Sequence, residues 1–325
     1  MTTVPVPDAH GSTPPGCSLY AIPARDGRSA VVFRRGPSKR VLVLRWWLDD
    51  DRIEQGHWFS GRIYEKRCDL SPEGDLLVYF AARYRSKLPT WTAISRTPYL
   101  TALVLWSCWL DGGGHFGSSR DVCLDVCLAP RLRGPPQKSV AGVLNEYPTD
   151  ELAEHINAFA RKEPERWFDP EVERMVRDGW TCVAAGLETD YNERFQRVET
   201  RFRGPEILER VCPPLTRRSA ELVVRRTLTQ ENYVVETVYA LTGRGSSTFR
   251  PLPDVSWCDW HTNGDLLFAQ GGSLYRIAHQ QLLQPTTAPL EGARLVADLH
   301  YLRWENRPPP EWATRWPGEP EEVSK

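Results

Sequence analysis

Two stretches of the chain nearly repeat each other. Residues 68–77 read CDLSPEGDLL and residues 258–267 read CDWHTNGDLL, with six of ten positions identical. Each places a glycine in a short polar turn and follows it with apolar residues. Glycine reaches positive φ without a steric penalty, and tight hairpins between twisted strands need that conformation. A third copy at 24–33, ARDGRSAVVF, keeps the turn and the strand after it. The turn glycines Gly27, Gly74 and Gly264 are separated by 47 and 190 residues, and the second spacing is close to four times the first. A turn-and-strand unit recurring at about 47 residues constrains the chain to a series of similar small sheets.

Period-two alternation of β-branched and aromatic residues marks strands. It runs through 41–46 and through Ser29–Phe33, Asp75–Ala81, Trp91–Ser95, Tyr99–Trp106, Asp121–Leu128, Ala220–Leu228, Tyr233–Leu241, Asp265–Ala269, Ser273–Ile277 and Ala293–Leu299. The 47-residue period places further units near 121 and 217, but near 168 helix takes over. Thr149 caps one predicted helix, with Leu152, Ile156 and Phe159 on one face. A second has Asp169 as cap, Pro170 at its first position and Gly179 just past its end, with Val172, Met175 and Val176 apolar. The expected division is a disordered leader over 1–16, β units over 17–145, a helical insertion over 146–186, β units over 187–304, and a Pro-rich acidic tail over 305–325, solvated or wrapped on the surface.

The segment Leu70–Phe80, LSPEGDLLVYF, resembles the Ser-Pro-Asp-Gly hairpin of WD40-like and related bacterial β-propeller repeats of unknown function. Trp257–Ile277 resembles a second such blade, and residues 40–59 resemble the third and fourth strands of another. The resemblance implies a mostly β, propeller or propeller-like fold of about five four-stranded units, interrupted by the helical insertion.

Of 325 residues, 41% are hydrophobic, enough for a packed core, and 41 basic side chains stand against 42 acidic ones. That balance argues against a dedicated nucleic-acid or membrane-surface protein. No apolar run approaches the length of a membrane span. The eight cysteines are dispersed rather than framed for disulfides, which fits reduced thiols and a cytoplasmic setting.

Candidate chemistry is sparse. Cys123, Cys127, Cys258 and His261 offer zinc-ligand types, but residues four apart on a strand stand roughly 13 Å apart, so structural thiols are the better account. Gly243–Thr248 lacks the remaining residues of a phosphate loop. Asp49–Asp51 reads as a solvated hairpin turn. Arg25–Arg45 holds seven basic residues and one acid, either a patch for an acidic partner or nucleic acid, or the charged outer faces of edge strands. The most distinctive loop is Leu110–Gly117, LDGGGHFG, where three glycines allow close backbone approach.

The reading favoured is a non-catalytic protein-interaction module or scaffold with no cofactor and no metal. Its partner is another protein, contacted through Asp111, His115 and Phe116 of that loop and through the helical insertion. A hydrolase using His115 or His261 with nearby carboxylates is the alternative, and binding through Arg25–Arg45 the third.

Overall fold

The computed structural model describes residues 16–37, 39–107, 112–117, 122–124, 170–192, 197–213, 222–231, 234–242, 248–284 and 288–318. They are mostly β, in antiparallel sheets. Sheet 1 is a four-stranded meander of β1 (Ser18–Pro23), β2 (Ser29–Arg35), β3 (Arg40–Trp47) and β4 (Arg52–Ser60). Sheet 2 holds β5 (Arg62–Ile63), β6 (Asp69–Leu70), β7 (Leu76–Ala82), β8 (Thr90–Arg96) and β9 (Ala102–Ser107), with both β5 and β6 pairing β7. Sheet 3 is the pair β10 (Gly114–Phe116) and β11 (Val122–Leu124). Sheet 4 comprises β12 (Thr181–Asn192), β13 (Arg197–Val211), β14 (Val223–Glu231), β15 (Val234–Thr242) and β16 (Phe249–Leu252). Sheet 5 is a meander of β17 (Val255–Trp260), β18 (Leu266–Gln270), β19 (Ser273–Ile277) and β20 (Arg294–Asp298). Two helices are described, α1 (Pro170–Arg177) and the one-turn α2 (His279–Leu282). None is long and apolar enough to cross a membrane.

The repeated motif folds the same way three times. Gly27, Gly74 and Gly264 have φ of 75°, 75° and 84°. Each donates its N–H to the carbonyl three residues back, on Ala24, Ser71 and His261 respectively. Each turn joins the first strand of a meander to the second, or β6 to β7 in sheet 2. The turns also touch in series. His261 Nε2 lies 2.8 Å from the Gly27 carbonyl, and the Asp26 N–H donates to the Pro72 carbonyl at 3.0 Å. A Cβ on Gly27 would stand 2.6 Å from Thr262 Oγ1, and one on Gly74 would stand 2.4 Å from Ser29 Oγ. These glycines are needed for packing as well as for φ.

The sheets stack face on face. Alternate side chains of sheet 1 enter two different cores. Leu19, Val32, Leu42, Leu44 and Trp46 pack against Trp257, Leu267 and Leu274 of sheet 5. Ile22, Val31, Phe33 and Val43 pack against Ile63, Leu77 and Tyr79 of sheet 2. Burial on both faces explains why β2 and β3 read as near-continuous apolar runs. The far side of sheet 5 packs on sheet 4 through Trp260, Phe268, Leu208, Val224 and Tyr239. The far side of sheet 2 packs on Phe116 of β10. Each fully buried aliphatic or aromatic side chain contributes about 1.5–3 kcal/mol.

Several charges expected in solvent are structural. Arg34 is buried and donates to the carbonyls of Leu299 (2.9 Å) and His300 (2.7 Å). Arg35 pairs with Glu65, and Arg45 lies 3.8 Å over the Trp47 ring. The basic residues of 25–45 therefore do not make one face, because alternate strand positions send them to different neighbours. Asp51 is likewise no solvated turn residue. With φ of 55° it accepts from Trp46 Nε1 (2.8 Å) and from Arg276 of sheet 5 (2.7 Å).

After β20 the chain runs back over the outside. Trp304 meets Trp58 of sheet 1, Arg307 donates to the Gln55 carbonyl, and Trp312 meets Tyr99 in the connection between β8 and β9. Ala313 is fully buried and Trp316 packs on the sheet 2 core. Of the two outcomes expected for the tail, residues 305–318 take the wrapped one.

Candidate functional site

Helix α1 organises the centre. It ends in a Schellman motif, with the Trp180 N–H donating to the Met175 carbonyl (2.9 Å) and the Gly179 N–H to the Val176 carbonyl (3.1 Å), Gly179 at φ 95°. The accompanying apolar contact is Met175 with Trp180, and both enter the core between sheets 4 and 5. The chain then turns directly into β12 at Thr181, inside the segment read from sequence as helical. The helix expected over 149–159 lies outside the described residues.

The other stripe of α1 carries Glu171, Arg174 and Arg177, followed by Asp178, at three- and four-residue spacings. Four of the five sheets send groups to it, and the fifth joins through a neighbouring arginine. Glu171, 1% exposed, accepts from Arg226 of β14 (2.6 Å) and from the Tyr20 hydroxyl of β1 (2.9 Å), and Lys66 Nζ is 3.2 Å away. Arg226 also donates to Glu206 of β13 (2.9 Å). Arg174 donates to the Tyr20 hydroxyl. Arg177 binds Asp69 of β6 and donates to the Phe116 carbonyl of β10. Arg210 of β13 binds Asp259 of β17.

The electrostatics follow from this pairing. Burial alone would push the Glu171 carboxyl up, but Arg226, Lys66 and Arg174 outweigh it and hold it below its ordinary value. Burial opposes the charge on Arg226 too, yet Glu171, Tyr239 and Tyr20 raise it further above its ordinary range. Asp259 goes the other way. Its burial raises the carboxyl despite Arg210. Burial also pushes the neighbouring Cys258 thiol up, so it is a neutral, unreactive group at neutral pH.

Sequence-predicted residues land partly here. His115, on β10, is half-buried, and burial lowers its pKa, so it is neutral at pH 7. Its Nδ1 lies 3.9 Å from Glu173, too far for a hydrogen bond. Phe116 is fully buried, and its N–H donates to Asp69 at 2.7 Å. Its ring packs in the sheet 2 core and is not on a surface. Asp111 lies outside the described residues, as do Cys127 and 243–247. His261 is used in the contact between turns. Among the described residues, no group of three or more His, Cys, Asp and Glu is placed to hold a metal ion.

The central ion network was missed from sequence, although the repeat carried a sign of it. Both copies place an acid after the cysteine in an apolar strand, Asp69 and Asp259, and each such acid is buried against an arginine. The cavity beside Asp259, lined also by Tyr20, Arg174, Asp178 and Tyr239, has a volume of about 20 Å³. That admits about one water and no organic substrate. No family model, curated protein or solved structure matches this chain.

Proposed function

We propose that the chain is a propeller-like, non-catalytic protein-interaction module. The ring reading is supported by meanders stacked face on face and by three equivalent turns touching in series. The functional reading rests on one observation: among the described residues around α1, where a propeller enzyme would keep its reactive groups, the ionisable side chains are engaged with one another. Catalysis needs a proton acceptor or nucleophile with room for a substrate beside it. Here the carboxylates are held by arginines, the thiols are neutral, and the space admits a water.

The partner is another protein, and His115 with Glu173, both partly exposed beside α1, forms the contact region. Affinity capture with the tagged full chain, wild type against His115→Ala/Glu173→Gln, tests this. Loss of specific partners with unchanged folding supports the reading. Equal capture by both moves the contact surface elsewhere. Hydrolysis of generic ester or peptide substrates that disappears in Asp259→Asn would replace the reading with an enzymatic one.

A further inference from the structure

The whole-chain charge balance conceals a local asymmetry at one rim of sheets 1 and 2. Residues 39–40, 62–64 and 83–88 include six exposed cations, Lys39, Arg40, Arg62, Arg83, Arg85 and Lys87, and no acid. The nearest acid in sequence, Glu65, is held by Arg35. The three segments adjoin. The Gly61 N–H donates to the Lys39 carbonyl at 3.0 Å, and Arg62 pairs in register with Ala82, one residue before Arg83.

Aromatic rings are interleaved with the charges. Tyr84 is 64% exposed, and its hydroxyl lies 2.5 Å from that of Tyr64. Tyr64 stacks on Phe80 with centroids 4.9 Å apart, and Arg62 sits 4.6 Å over the Tyr64 ring. Farther along, Arg40 lies 5.1 Å over Trp304, itself 41% exposed. Cations that track a phosphate backbone, alternating with ring faces on which bases stack, are the makings of a single-stranded nucleic-acid surface.

We propose that this rim binds single-stranded nucleic acid. A duplex is a poorer fit, because hairpin tips with stacked rings present no helix or ribbon to a major groove. An anionic lipid surface is also a poorer fit, because no exposed aliphatic side chain stands at this rim to insert among acyl chains. The site uses no residue of α1 and neither His115 nor Glu173, so its failure leaves the protein-interaction reading untouched.

Fluorescence anisotropy on the full chain tests it, with labelled oligo-dT and oligo-rU of twenty nucleotides, a twenty-base-pair duplex, and phosphatidylcholine vesicles containing phosphatidylserine. About four phosphate contacts predict a log–log salt slope of about −3, hence an affinity loss of roughly 60-fold between 50 and 200 mM salt. Arg83→Gln/Arg85→Gln/Lys87→Gln should flatten that slope by about 2. Tyr84→Ala should weaken binding about tenfold with the slope unchanged, a result that charge alone would not produce. Arg28→Gln, on the opposite rim, should change nothing. Absence of oligonucleotide binding at 50 mM salt, tighter binding of the duplex or the vesicles, or wild-type affinity in the triple variant would each overturn the proposal.

Discussion

Replacing Glu171 with Gln removes one negative charge from the middle of the molecule while keeping the side chain's shape. The carboxylate accepts from Arg226 at 2.6 Å and Tyr20 at 2.9 Å, with Lys66 at 3.2 Å. A glutamine retains one acceptor oxygen, so one of these bonds survives without its charge. Losing a charge-assisted bond costs about 1.5–3 kcal/mol, and stranding a buried cation costs about 3–5 kcal/mol. Arg226 keeps Glu206 at 2.9 Å, which brings the expected loss to about 3 kcal/mol. For a domain of this size that is about 5 °C in Tm. The pH dependence has a definite sign. Glu171 titrates below its ordinary 4.5 in the folded chain, so its contribution is present above that value and is lost as pH falls through the folded pKa. The gap between wild type and E171Q, read from urea unfolding monitored by tryptophan fluorescence, should therefore be full at pH 7 and narrow below about pH 4.5. A gap under about 1 kcal/mol at pH 7, or one that does not change between pH 7 and pH 3.5, would refute the view that this ion network locks the sheets together.

Further outcomes concern the turns, the thiols and the joint between sheets 1 and 5. Gly27→Ala should cost about 1–3 kcal/mol, clearly more than Gly271→Ala, because both have positive φ but only the former meets a neighbour, Thr262; melting curves of the two variants decide it. Of the five cysteines with described side chains, Cys182 is exposed, whereas burial pushes Cys212 up to about 11 and Cys68 and Cys258 higher. Among these five, a maleimide at pH 7 should therefore label Cys182 first, as peptide mass mapping would show. Trp46→Phe removes the bond to Asp51 and part of a fully buried ring, and should lower stability by about 2–4 kcal/mol in denaturant titration.

What could be read from sequence was local. Alternation located β2, β3, β7, β8, β18 and β19 to within a residue or two, and the glycine motif identified three equivalent turns, because strand periodicity and positive φ are properties of neighbouring residues. The ends of α1 were legible for the same reason, through Pro170 and Gly179. What α1 does was not. Glu171 carries no local sign of its role, because its partners stand 55 and 151 residues away in sequence. Arg34 belongs to a run of basic residues and Asp51 to a run of acids, both marks of a surface, and only groups more than 200 residues away bury them. Phe116 stood in a glycine-rich stretch that suggested an exposed tip, but its ring fills the far side of sheet 2. Charges whose fate depends on contacts between distant sheets leave no periodic trace.

The joint between sheets 1 and 5 has a consequence for synthesis. Trp46 and its neighbours are covered by Trp257, and the Leu19 carbonyl accepts from Ser256, 237 residues later. On a ribosome adding about 5–20 residues per second, roughly 10–40 s separate the appearance of the apolar face from that of its cover. During that interval Leu42, Leu44 and Trp46 stand on a nascent sheet with no permanent neighbour. They are natural targets for holding chaperones and for misassembly between nascent chains on one message. Slowing elongation downstream of sheet 1 should therefore reduce the soluble yield of this chain more than it alters the stability of the molecules that finish.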